Sequence, residues 1–207
     1  MNLKPFFQNK NLVSCLAGIL FVSVVGSLMH FVYDWSGQNF LISLFAPVNE
    51  STWEHMKLIF FPTLLFYIIE TWLPYTDNHN LPNHTDSKLQ RTIDGAALLT
   101  GTALIPILFY TYSGILGFHI PAVDILTFFI SVIIAFVLRY HLNSQAMHPQ
   151  NSQFTESIKK STTLVTIAVA VLFLCFLIFT SYPPNLGIVS DPTRTSKFIC
   201  KVKRTPL

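Results

Sequence analysis

The chain has 207 residues, 51% of them hydrophobic and only 11% charged, with a formal net charge of +3 and a mean hydropathy of +0.50. Soluble domains carry about a quarter charged residues, so this composition argues for an integral membrane protein in a single unit. The weak positive charge is scattered between apolar runs and forms no basic stripe, which excludes a nucleic-acid reading. Cys15, Cys175 and Cys200 form no C-x-x-C pair, so neither a zinc knuckle nor a redox motif is present.

Five apolar runs have the length of a spanning helix. They cover about residues 12–31, 52–73, 93–112, 121–138 and 161–180. Without water in a bilayer, each must satisfy its backbone internally, which makes it helical. The expectation is an all-α bundle of five transmembrane helices in one domain over residues 1–192, followed by a basic, disordered tail over 193–207. The first run is long for a signal-peptide core and reads as a retained anchor. Residues 74–92 and 143–160 are rich in Asn, His, Ser and Gln and read as loops.

Lys4, Lys10, Lys88, Arg91, Arg139, Lys159 and Lys160 fall in the N-terminal segment and in alternate loops, whereas the other two loops hold no Lys or Arg. This asymmetry predicts a multi-pass protein of the cell membrane with a cytoplasmic N-terminus. The tail cations Arg194, Lys197, Lys201, Lys203 and Arg204 lie well past the last run and pull against that orientation.

Most ionisable residues near the runs fall at one end of them. His30 and Asp34 leave the first run, Glu50, Glu54, His55 and Lys57 open the second, and His119 and Asp124 precede or open the fourth. Charges at a bilayer edge are costly unless they pair, bind something or cap a helix. Ser23, Gly26, Ser27, His30 and Asp34 share one helical face, and their small members invite close helix packing. Ser51-Thr-Trp-Glu54 has the capping-box spacing, and Lys57 can neutralise Glu50 or Glu54. Trp53 reads as an interfacial anchor. Asp124, Thr127 and Ser131 form another polar face, with Pro121 in its first turn. Glu70 and Asp94, at the opposite end, can pair with Lys88 or Arg91.

His30, Asp34, Glu50, Glu54, His55, His119 and Asp124 are therefore the candidate binding residues, in one layer near the outer face. The donor set suits a divalent metal such as zinc at His30, Glu50, His55 and His119, although no H-E-x-x-H occurs. Three functions fit. One is binding or transport of a small polar solute or cation. The second is a metal-dependent membrane hydrolase at the headgroup level, with Glu50 or Glu54 as base. The third is a non-enzymatic assembly subunit held by its polar stripes. The expected partner is the lipid bilayer, with a homo-oligomer able to complete a five-span transporter.

The strings His30-Phe-Val-Tyr-Asp-Trp-Ser-Gly37, Ala46-Pro-Val-Asn-Glu-Ser-Thr-Trp-Glu-His-Met-Lys57, Gly117-Phe-His-Ile-Pro-Ala-Val-Asp124 and Tyr182-Pro-Pro-Asn-Leu-Gly187 resemble a family of small multi-span bacterial membrane proteins of unknown function. The resemblance covers about residues 12–192 and implies a membrane location but no activity.

Overall fold

A computed structural model describes residues 10–72, 87–147, 152–182, 184 and 188–189. The expected tail, residues 1–9 and His79, His84 and His148 lie outside them. All regular elements among the described residues are helices: α1 Lys10–Trp35, α2 Phe40–Ser43, α3 Thr52–Trp72, α4 Ser87–Leu116, α5 Pro121–Ala146, α6 Ser152–Lys160 and α7 Thr162–Ser181. The five long helices alternate in direction. Ser14, early in α1, meets Glu70 and Arg139, late in α3 and α5, while Lys57, early in α3, meets Thr180, late in α7.

Four of the described helices, α1, α4, α5 and α7, are long and apolar enough to cross a membrane, where five were expected. The exception is α3, whose 21 residues include Glu54, Lys57 and Glu70. Its surroundings explain how it keeps these charges. Helix α3 packs against α1, α4 and α5, and its aromatic residues reach α7 through Trp53–Phe176, Phe60–Phe173 and Phe61–Phe176. Twelve of its residues are buried, so protein rather than lipid meets its polar groups. By contrast, α7 turns Leu164, Ile167, Val171, Leu174 and Ile178 outward, an exposed apolar stripe at helical spacing that suits hydrocarbon.

The core is aromatic: Phe60, Phe136 and Phe176 are wholly buried, and Phe61 and Phe128 nearly so. Gly26 lets α1 lie against α3, since a Cβ there would sit 2.5 Å from the Leu58 carbonyl oxygen. This contact uses the polar face of α1 as its small residues imply. After α1 the chain turns at Gly37, whose φ of +68° favours glycine.

Described helices reach into both stretches expected from composition to be loops. Helix α4 starts at Ser87, α5 continues to Ala146, and α6 occupies 152–160. Polar residues here extend the helices past their apolar cores, a pattern hydropathy alone reads as loop. His141 is an exposed residue of α5.

Candidate functional site

The ionisable residues gather at both ends of the bundle. At the first end, Glu50 lies in the segment before α3 rather than on the helix face shared by Glu54 and Lys57. Its carboxylate stands between two imidazoles from different elements. His30 Nε2 of α1 is 3.7 Å from Oε1, and His55 Nε2 of α3 is 3.4 Å from Oε2. The two rings are 5.5 Å apart between centroids. Glu50 keeps 55% of its side chain exposed, so the group opens to the surface.

Local structure settles the His55 tautomer. Its Nδ1 is 2.9 Å from the Ser51 carbonyl oxygen, which can only accept, so Nδ1 carries the hydrogen. Nε2, facing Glu50, then presents either a second proton or a lone pair. A lone pair directed at a carboxylate is repulsive unless a cation lies between them. The arrangement is attractive only with a positive charge on or beside the ring.

Glu54 and Lys57 do something different. Lys57 is wholly buried and Glu54 is 2% exposed. The ammonium donates to Glu54 Oε2 at 2.7 Å, the Ser43 carbonyl at 3.0 Å and Thr180 Oγ1 at 2.6 Å. All three donor positions are thereby used. Glu54 also accepts the Val48 amide at 3.1 Å. The pair joins α2, the segment carrying Glu50, α3 and α7. Only half the expected capping box forms: Ser51 Oγ accepts the Glu54 amide at 3.3 Å, while Asn49 Oδ1 takes the Ser51 amide. The Glu54 carboxylate is spent on Lys57 and is withdrawn from the open group.

His119 and Asp124 form a separate set. Their Nδ1 and Oδ2 atoms are 3.3 Å apart, and the Tyr112 hydroxyl bonds to Asp124 Oδ1 and accepts the Ile120 amide at 3.3 Å. This set fastens the end of α4 to the start of α5. Thr127 and Ser131 return their hydroxyls to carbonyls of their own helix. Asp34 is exposed. The single layer thus resolves into an open His30–Glu50–His55 group, a buried Glu54–Lys57 pair and the His119–Asp124–Tyr112 set. No group of three or more His, Cys, Asp or Glu among the described residues has an arrangement suited to a metal ion. Trp53 is buried against Phe176 and Phe179, not laid out as an interfacial anchor, because its side of α3 faces α7.

The opposite end holds a cluster that sequence reasoning missed. Arg139 of α5 donates from Nε to Asp94 Oδ1 at 2.7 Å, from Nη2 to Glu70 Oε2 at 2.6 Å and from Nη1 to Ser14 Oγ at 2.7 Å. Gln90 donates to Asp94 Oδ1 at 2.8 Å, and Ser14 donates to Glu70 Oε1. The guanidinium carbon stands 4.6 Å from the Tyr67 ring centroid, within cation–π range. Four helices, α1, α3, α4 and α5, meet here. Arg139, rather than the expected Lys88 or Arg91, is the cation that Glu70 and Asp94 share. A polar face at the far end of α5 was the available signal, but a charge placed just past an apolar run reads as a loop residue.

Fold and site together define a class: a helical bundle with four candidate membrane spans around a polar-ended central helix. The chain belongs to a family of unknown function (DUF6512), whose model matches residues 1–198. The match continues past Pro192, where the resemblance was expected to stop. No curated protein and no solved structure matches the chain.

Proposed function

We propose that this is a multi-pass cell-membrane protein that binds a small organic cation at the open His30–Glu50–His55 group, on the external face. The observation that supports this is the half-exposed Glu50 carboxylate facing His55 Nε2, a pair that attracts only with a positive charge on or beside the ring, with His30 Nε2 on its other side. Glu54, Glu70, Asp94 and Asp124 each have a close hydrogen-bonded or ionic partner. Glu50 meets its imidazoles at longer distances and from an exposed position, which suits a group that exchanges what it holds. Binding is favoured over conduction because Phe60, Phe61, Phe136 and Phe176 fill the bundle between its polar ends. A cytoplasmic N-terminus follows from the alternation of Lys and Arg.

Calorimetric titration of the purified protein with ethanolamine and choline chloride tests this reading. One of these cations should bind at a single site, with Glu50→Gln weakening it at least about ten-fold, as loss of a charged ligand does. Absence of binding by both, or unchanged affinity in Glu50→Gln, would refute it. Cysteine labelling of the 36–48 segment from outside intact cells tests the orientation.

A further inference from the structure

The Arg139 end also carries a basic surface that its buried cluster does not use. Helix α6 places Phe154 and Ile158 one turn apart and ends in Lys159 and Lys160. It packs against α4, α5 and α7. Just after it, Thr162 bonds through Oγ1 to Thr92 Oγ1 at 2.7 Å and lies 3.4 Å from the Lys88 carbonyl. These bonds fasten the start of α7 to the first turns of α4. Lys88 and Arg91 of α4 are thereby brought to the same corner of the bundle as Lys159 and Lys160. Arg91 and Lys160 are exposed, and Phe154 of α6 is 37% exposed. Glu156, paired with Lys159 at 3.1 Å, is the acidic residue described on α6.

We propose that this corner binds the headgroups of anionic phospholipids. Charge complementarity supports this partner: among the described residues, Lys88, Arg91, Lys159 and Lys160 outnumber Glu156 here, and they sit where candidate spans end and headgroups begin. Phe154 adds an apolar contact at the depth where interfacial helices bury their apolar residues. The inference is independent of the cation site at the other end.

The test uses the full chain in mild detergent. Phosphatidylglycerol or phosphatidylcholine is added, with native mass spectrometry counting bound lipid and thermal unfolding reporting stabilisation. Phosphatidylglycerol should bind in preference and raise Tm more than phosphatidylcholine. The Arg91→Gln/Lys160→Gln variant should weaken phosphatidylglycerol binding about five-fold for each charge removed, with lipid-free Tm unchanged. High salt should erase the preference of the unaltered protein, an arm that remains decisive should the variant not fold. Equal binding of the two lipids, an unaffected variant, a salt-insensitive preference, or equal stabilisation by inorganic phosphate would each overturn the proposal.

Discussion

Arg139 and Glu50 occupy opposite ends of the molecule and show two ways of keeping ionised groups near apolar helices. Arg139 spends its guanidinium on Asp94, Glu70 and Ser14, with Tyr67 beneath it. Both carboxylates there are largely enclosed. Glu50 meets two imidazoles at 3.4 and 3.7 Å and faces water. The difference is one of donors and geometry. A planar fork satisfies two carboxylates at once and tolerates burial. Single imidazole nitrogens at long range leave a carboxylate able to accept something else. Buried charge locks helices together, whereas exposed charge stays available for binding.

Helix α3 carries both arrangements. Lys57 and Glu70 stand about 20 Å apart along it, at about 1.5 Å per residue, with aromatic packing between them. The Glu54–Lys57 pair shows that position at the Glu50 end does not itself make a group available. Enclosed by Ser43, Thr180 and Val48, this pair resembles the Arg139 cluster more than its own neighbours.

The largest effect should come from Arg139→Ala. It leaves Glu70 and Asp94 without their shared cation, and loss of one partner of a buried pair costs about 3–5 kcal/mol. Thermal unfolding in detergent measures this. Arg139→Lys should recover only part of the loss, because one ammonium cannot reproduce the fork; full recovery would show that charge alone matters. Lys57→Met should fall in the same range, as Glu54 stays buried. Adding Glu54→Gln should restore much of the stability, and a double variant no better than the single would show the two side chains to be uncoupled.

A smaller loss, about 1–3 kcal/mol from overpacking, is expected for Gly26→Val, whose side chain must push Leu58 and Phe128 away. Thermal unfolding in detergent should show the lower Tm. The smallest stability change belongs to Glu50→Gln, within about 0.5 kcal/mol as for most surface substitutions. A loss comparable with that of Arg139→Ala would abolish the contrast between the two ends.

Most of the helical framework was legible because apolar runs of spanning length have few alternatives. Pro121 opens α5 and Gly26 marks a close approach, as their residue types imply. The contact of Lys57 with Glu54 was one of two pairings open to that lysine. Its further bonds to Ser43 and Thr180 were not legible, because those residues are 14 and 123 positions away. Arg139 was misplaced for a related reason. Hydropathy ends a helix where apolar residues stop, yet α5 continues through Arg139 to Ala146. Glu70, Asp94 and Ser14 reach it only once four helices are packed.

Composition and hydropathic pattern by themselves determined that the chain is helical, that its apolar runs are long, and that its ionisable residues concentrate at their ends. These properties follow from local chemistry, one segment at a time. Tertiary packing alone decided that α3 is enclosed by its neighbours, that Arg139 gathers two carboxylates, and that Glu50 faces outward between His30 and His55. The physical reason is that burial and pairing depend on which side chains arrive from distant parts of the chain, and hydropathy carries no record of that meeting.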